Sequence, residues 1–211
     1  MRPRIAIFLH QPNASVQSAN GIMRALCGRY DFKVFTRHQL ENDFFHDVQA
    51  VCFPGGIGDA DSFDWLMREH KNRVKDFVQS GGKYLGICMG AYWADRHYFD
   101  LVENTRVEQY IKRPNSCTRR PHAKHMPIEW LGESERMYFY DGACMVGGDV
   151  DCVARYSNGD HMAVIQGQVG LIGCHPEAEH HWYQDHSWMR LAWSGDQHHL
   201  LLDFVNRLMI R

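Results

Sequence analysis

Three short runs in this chain are almost wholly apolar: Ile5–Leu9, Val48–Phe53 and Val169–Cys174. A strand with one wet face alternates polar and apolar residues, so runs without a polar face suit strands covered on both sides. Lys83–Ile87 reads as a strand of the same group, and Phe32–Phe35 as another. Amphipathic stretches separate them. Ser15–Arg29 places Val16, Ala19, Ile22, Met23 and Leu26 on one helical face. Asp61–Ser80 does the same with Phe63, Leu66, Met67, Val74, Phe77 and Val78, and Gly81-Gly82 stops it. A further helix is expected to start near Met89. Strands joined through helices need crossover connections, hence a parallel sheet with helices on both faces.

The second half reads differently. Met126–Trp130, Arg136–Tyr140, Val150–Tyr156 and His161–Gln166 are strand-like, and Ser157-Asn158-Gly159-Asp160 joins the last two as a hairpin. Helices are expected over Glu179–Ala192 and Gln197–Met209, the second with Leu200, Leu201, Phe204, Val205 and Leu208 inward. The expected architecture is one α/β domain over residues 1–211. It is a three-layer αβα sandwich with a mostly parallel central sheet and an antiparallel hairpin region in the second half.

A chain of 211 residues with 45% apolar and 23% charged residues has ordinary globular usage, which excludes a disordered tail protein. Its formal net charge of −2 gives no global attraction for nucleic acid or an anionic membrane. No apolar run reaches the ~18 residues a spanning helix needs. After the basic Met1-Arg2-Pro3-Arg4 the apolar stretch is too short for a signal-peptide core. The seven cysteines form no Cys-x-x-Cys pair, so reduced thiols in a cytoplasmic protein are expected, without a disulfide framework or a cysteine zinc site. No cofactor is called for.

The chemistry centres on Gly86-Ile87-Cys88-Met89-Gly90, where a buried strand ends and a helix begins. This is the cysteine form of a nucleophile elbow. The turn is too sharp for flanking side chains, so glycines stand on either side. It lifts the sulfur out at the carboxyl end of the strand, at a helix start that favours thiolate. The Met89 N–H is expected to donate to an oxyanion. Gly173-Cys174-His175-Pro176-Glu177 supplies a base at the end of the other apolar run. His175 would take the thiol proton and return it to a leaving amine, with Glu177 fixing its tautomer. Pro54-Gly55-Gly56, after an earlier strand, would add N–H donors to the oxyanion hole. It lacks the Lys-Ser/Thr ending and glycine spacing of a phosphate loop.

In this order, Pro-Gly-Gly, Gly-x-Cys-x-Gly and His-Pro-Glu resemble the class I glutamine amidotransferase superfamily, which has a flavodoxin-like sandwich. The resemblance spans Ile5 to Glu177 and implies Cys88 as nucleophile, His175 as base, Glu177 as its partner, and Gly55, Gly56 and Met89 as the oxyanion hole. The closer likeness is to the amidotransferase-like N-terminal domain of biotin–protein ligases. Gly86–Tyr92 resembles that group's elbow. Tyr138–Ala143 resembles its Tyr-x-Asn-Gly-Gly segment, with Asp141 and Ala143 as departures. Glutamine-using members carry Gln four residues after the nucleophile, where this chain has Tyr92.

The resemblance therefore implies a cysteine hydrolase acting on the C–N bond of a small amide through a thioester, with the identity of the amide left open. Any ammonia released would be used by a separate synthase or ligase protein. Two alternatives stand beside it: a non-catalytic binding or regulatory module of the biotin–protein ligase N-terminal type, and a PfpI-type cysteine hydrolase whose third catalytic group lies elsewhere.

Residues 112–125 carry five Lys or Arg and no acid, with Pro114 and Pro121 marking a loop. Arg119 and Arg120, together with Tyr92, are candidate substrate-binding residues; the plainer reading of the loop is a solvated surface. His180, His181, Asp185 and His186 cluster without a metal-binding motif and read as a polar helix face, so no metal site is expected. Trp182, Trp188 and Trp193 read as helix packing.

Overall fold

The computed structural model describes residues 2–41, 43–184 and 186–211. Its first half alternates strand and helix: β1 (Arg4–Phe8), α1 (Val16–Leu26), β2 (Asp31–Phe35), β3 (Ala50–Phe53), α2 (Ala60–Leu66), α3 (Lys71–Gln79), β4 (Lys83–Ile87) and α4 (Met89–Trp93). Then come β5 (Thr105–Gln109), β6 (Lys124–Trp130), β7 (Glu133–Phe139), β8 (Ala143–Gly147), β9 (Asp151–Tyr156), β10 (His161–Gln166) and β11 (Val169–Ile172). The chain closes with α5 (His180–Gln184) and α6 (Asp196–Met209).

All eleven strands join one sheet in the order β2-β1-β3-β4-β11-β10-β9-β6-β7, with β8 pairing β10 and β5 pairing β8. The pairings β2–β1, β1–β3, β3–β4 and β4–β11 are parallel. From β10 outward every pairing is antiparallel. The expected mostly parallel sheet is thus corrected to a mixed one. The cause is loop length. Gly167-Gln168 joins β10 to β11 and Leu131-Gly132 joins β6 to β7, and connections so short can only reverse the chain.

The apolar strands are indeed covered on both faces. Ile5 and Ile7 of β1 join a core with Ala19, Ile22 and Leu26 of α1 and Leu201, Phe204 and Val205 of α6. Ala6 and Phe8 point the other way, into a core with Phe63 and Leu66 of α2, Val74 of α3 and Trp93 of α4.

Two expected helices differ. The stretch 61–80 breaks at Met67, whose φ of −127° leaves the helix; Arg37 Nη1 donates to the Trp65 carbonyl, and a 3-10 turn over Arg68–His70 leads into α3. The stretch 179–192 is helical only over His180–Gln184. Beyond it the N–H groups of Met189 and Ala192 bond three residues back, and the Trp193 indole donates to the Ala178 carbonyl, drawing the chain back on itself. Strands β5 and β8 were not anticipated: β5 carries Arg106, Glu108 and Gln109, too polar to read as buried.

Candidate active site

The cysteine sits where the parallel half of the sheet ends. Cys88 follows β4 and caps α4 with φ 49° and ψ −98°, a left-handed conformation that is costly for a residue with a side chain. Its N–H donates to the Ile172 carbonyl of β11, so both neighbouring strand ends fix the turn. The flanking glycines are required by space. A Cβ on Gly86 would lie 2.4 Å from the Gly90 carbonyl oxygen, and one on Gly90 would lie 2.0 Å from that of Phe53.

His175 follows β11, the strand beside β4. Its N–H donates to the Tyr138 carbonyl at 2.9 Å. The ring packs edge-on against Tyr138 and near Trp182, and Gly55 leaves room for it: a Cβ there would stand 2.6 Å from Cε1. His175 Nδ1 lies 2.8 Å from Glu177 Oε1. A carboxylate only accepts, so Nδ1 carries a proton and Nε2 is the nitrogen left for other work. The same Oε1 accepts from Ser18 Oγ at 2.6 Å, and Ser18 Oγ accepts from the Gly55 N–H at 2.9 Å. Glu177 is fully buried, and its other oxygen has no hydrogen-bond partner among the described residues. Cys88 lies close enough to act on the imidazole's charge, and its Sγ lies 3.6 Å from the Tyr140 carbonyl oxygen. Burial works against a charged imidazole here, but Glu177 and then Cys88 outweigh it and raise His175 from 6.5 to about 10. Residues 87 positions apart in sequence are therefore neighbours at one sheet edge.

The expected N–H donors divide. The Gly55 N–H is engaged by Ser18, which removes it from the expected oxyanion hole. Gly56 lies in a bridge to Ala14 whose hydrogen bonds run through its neighbours, Gly55 O to Ser15 and Ile57 N–H to Asn13. Its own N–H, like that of Met89 at the first turn of α4, has no partner among the described residues.

Two hollows meet at Cys88. The smaller, about 310 Å³, is lined by Ser18, Gly55, Gly56, Tyr138, His175 and Trp182 among others. The larger, about 1020 Å³, runs past Gly56, Tyr92, Tyr98, Arg106, Gln109 and Asp141. Tyr92 lies in its wall with its hydroxyl donating to the Asp141 carbonyl at 3.0 Å; burial, then Cys88 and Asp141, push that phenol well above its usual range. Arg119 and Arg120 line neither hollow. The Arg119 guanidinium donates to the Ile111 and Arg113 carbonyls, and the Arg120 carbonyl accepts from Lys124, so these residues fasten their own loop. Ser18 was not foreseen. A serine one position from Ala19 on the inward stripe of a helix was the available signal.

Of the histidine cluster, Asp185 lies outside the described residues. His180 lies against Gln184 and the Trp193 ring. Among the described residues no group of three or more His, Cys, Asp or Glu is arranged to hold a metal ion, and no helix is long and apolar enough to cross a membrane. All seven cysteines are unpaired, and burial pushes the Cys52 and Cys174 thiols well up and that of Cys144 to about 12.

The model of the biotin-protein ligase N-terminal family matches residues 11–114, just under half of the chain, taking in the Pro-Gly-Gly loop and the elbow and ending before His175. The family resemblance is borne out. No curated protein matches the sequence. Among solved structures, a glutamine amidotransferase from Thermotoga maritima superposes with a TM-score of 0.70 at 12% identity, covering 100% of both chains. PurLQS from the same organism gives 0.66 at 16% identity over 99% of this chain and 100% of that one. A β-galactosidase from a psychrophilic Marinomonas gives 0.53 at 10% identity, with 98% of this chain covering 28% of the larger protein. The chain therefore has a glutamine amidotransferase-like fold, and at these identities the likeness speaks for fold alone.

Proposed function

We propose that this protein is a cysteine hydrolase acting on the C–N bond of a small amide, with Cys88, His175 and Glu177 as its catalytic triad. The observation that carries the reading is the buried chain Ser18–Glu177–His175, which ends on a sulfur held in a strained turn. Cys88 Sγ attacks the amide carbonyl with the proton already held on His175. The C–S bond forms, and the oxyanion rests on the N–H groups of Gly56 and Met89. His175 gives its proton to the departing amine as the C–N bond breaks, leaving a thioester. Water then attacks, its proton going to His175, and the C–S bond breaks as the acid is released. Glu177 holds Nδ1–H throughout and offsets the imidazolium charge.

The three-layer sandwich of the superfamily belongs to the same proposal, supported by helices on both faces of the parallel strands. So does a cytoplasmic location, which the unpaired thiols support, and a separate synthase or ligase protein as consumer of released ammonia.

The test is intact-mass detection of an acyl adduct after incubation with glutamine and with other small amides. The expected result is a thioester on Cys88 that is lost in Cys88→Ala. The hydroxyl bond between Tyr92 and the Asp141 carbonyl favours a second reading, a non-catalytic binding module, because it occupies the position where the family's glutamine users carry Gln. The absence of any adduct across the amide set would favour that module.

A further inference from the structure

The larger hollow at Cys88 is sided in its charge. Its wall holds five carboxylates, Asp59, Asp64, Asp95, Glu108 and Asp141, against two guanidiniums, Arg96 and Arg106. Arg106 is already tied to Glu108 at 2.9 Å, and Arg96 Nε donates to its neighbour His97. Four of the acids are spoken for locally. Asp95 accepts from the N–H groups of His97 and Val107, Asp59 caps α2 through the Ser62 N–H, Asp64 pairs Arg68 at 3.5 Å, and Glu108 also pairs Arg113.

Asp141 is different. Its backbone is held in the left-handed region at φ 47°, its N–H donates to the Pro121 carbonyl, and its carbonyl accepts from Tyr92. One carboxylate oxygen accepts from Gln109 Nε2 at 2.9 Å. The other is buried and has no partner among the described residues. Asp141 lines the cavity that also holds the nucleophile, and its buried, donor-free oxygen is left for a donor brought by a ligand. The negative surplus of the wall is also felt by Tyr98: after burial, Asp95, Asp59 and Asp64 raise its phenol further.

The two hollows divide the substrate. His175 lines the smaller one, so the amine that takes its proton departs there. The acyl portion then occupies the larger. We propose that this hollow selects an acyl group bearing an ammonium or guanidinium that donates to Asp141, making the substrate class a small cationic amide. The proposal rests on the amidohydrolase reading for its chemistry. It separates this chain from glutamine, whose carboxylate would enter a wall in which acids outnumber bases.

Four amides of similar length test it: 4-aminobutanamide, which is glutamine without its carboxylate, neutral butanamide, anionic glutaramate, and glutamine itself. The expected kcat/KM for 4-aminobutanamide exceeds that for butanamide roughly tenfold or more, the scale of a hydrogen bond to a charged group, with glutaramate last. Asp141→Asn should collapse the ratio of cationic to neutral amide toward one. A second measurement needs neither turnover nor a variant. It compares modification of Cys88, localised by mass spectrometry, by the cationic 2-aminoethyl and anionic 2-sulfonatoethyl methanethiosulfonates. A cationic reagent faster by about tenfold or more supports the proposal; equal rates, or a faster anionic reagent, overturn it. Preference for the cationic reagent without turnover of any amide keeps the hollow's charge selection and overturns the amidohydrolase reading instead. Turnover that favours glutaramate or glutamine overturns the cationic substrate and keeps the hydrolase.

Discussion

Glu177 is fully buried, and among the described residues its side chain is hydrogen-bonded to Ser18 and His175. A buried carboxylate so placed must be neutralised by its partners, and the raised His175 is the result. The consequence for stability has a definite sign. An unfolded histidine titrates near 6.5, and the folded His175 near 10. Below pH 6.5 both states bind the proton and the stabilisation is complete. Between 6.5 and 10 the unfolded chain releases it while the folded chain keeps it, so this contribution falls as pH rises and is gone above 10. Urea unfolding at pH 6, 8 and 10 should show that decline, and Glu177→Gln should flatten it. Ser18→Ala removes a donor from Glu177 and strands the Gly55 N–H; the expected cost is about 1–3 kcal/mol, read from the shift in urea midpoint. That Cys88, His175 and Glu177 come together was legible, because glycines and a proline punctuate the chain around them. Ser18 was not, because one serine in an amphipathic helix carries no local mark of a partner 159 residues away. The setting of Arg119 was hidden for a related reason: charge is visible in sequence, whereas the carbonyls that take up a guanidinium are not.

Elements were readable where a run of side chains had a single demand. Of the five strands in the parallel half, β1, β3, β4 and β11 are buried on both faces, and β4 and β10 begin and end where the pattern placed them. Direction was less readable, because it depends on connections. The turn between β6 and β7 shows why: Leu131 and Gly132 both adopt positive φ, 51° and 91°, the conformation a two-residue hairpin requires. Leucine is not a turn former, so the sequence concealed a hairpin that the chain builds at a cost. Leu131 is 51% exposed and contributes little by burial. Leu131→Asn should therefore relieve strain and stabilise the protein by about 1 kcal/mol, since asparagine tolerates the left-handed region that costs other residues ~1–2 kcal/mol. A rise in thermal midpoint with an unchanged far-UV spectrum is the expected measurement. The helix expected over 61–80 failed for the same general reason, a tertiary hydrogen bond from Arg37 to Trp65 that no local pattern announces.

At the scale of the molecule the two textures of the sequence, parallel first and antiparallel after, share one core. The apolar layer that receives α1 and α6 continues from Ile5 and Ile87 through Ala163 to Met126, Ile128 and Trp130. Trp130, on the antiparallel β6, meets Phe204 of α6 with ring centroids 6.2 Å apart. The site depends on this continuity: β4 carries Cys88, β11 carries His175, and β11 is the seam at which the sheet changes direction, parallel to β4 and antiparallel to β10. We propose on this ground that residues 1–211 form one cooperative unit. Trp130 is 2% exposed, and truncating a buried tryptophan costs about 3–5 kcal/mol. If the unit is single, Trp130→Ala lowers the stability of the whole, and the urea transitions followed by near-UV and far-UV circular dichroism shift together and still coincide. Two domains would separate them, with the antiparallel half melting first and the Cys88 environment persisting to higher urea. A cysteine-labelling rate at position 88 that rises in step with the far-UV signal would tie the candidate site to the same transition.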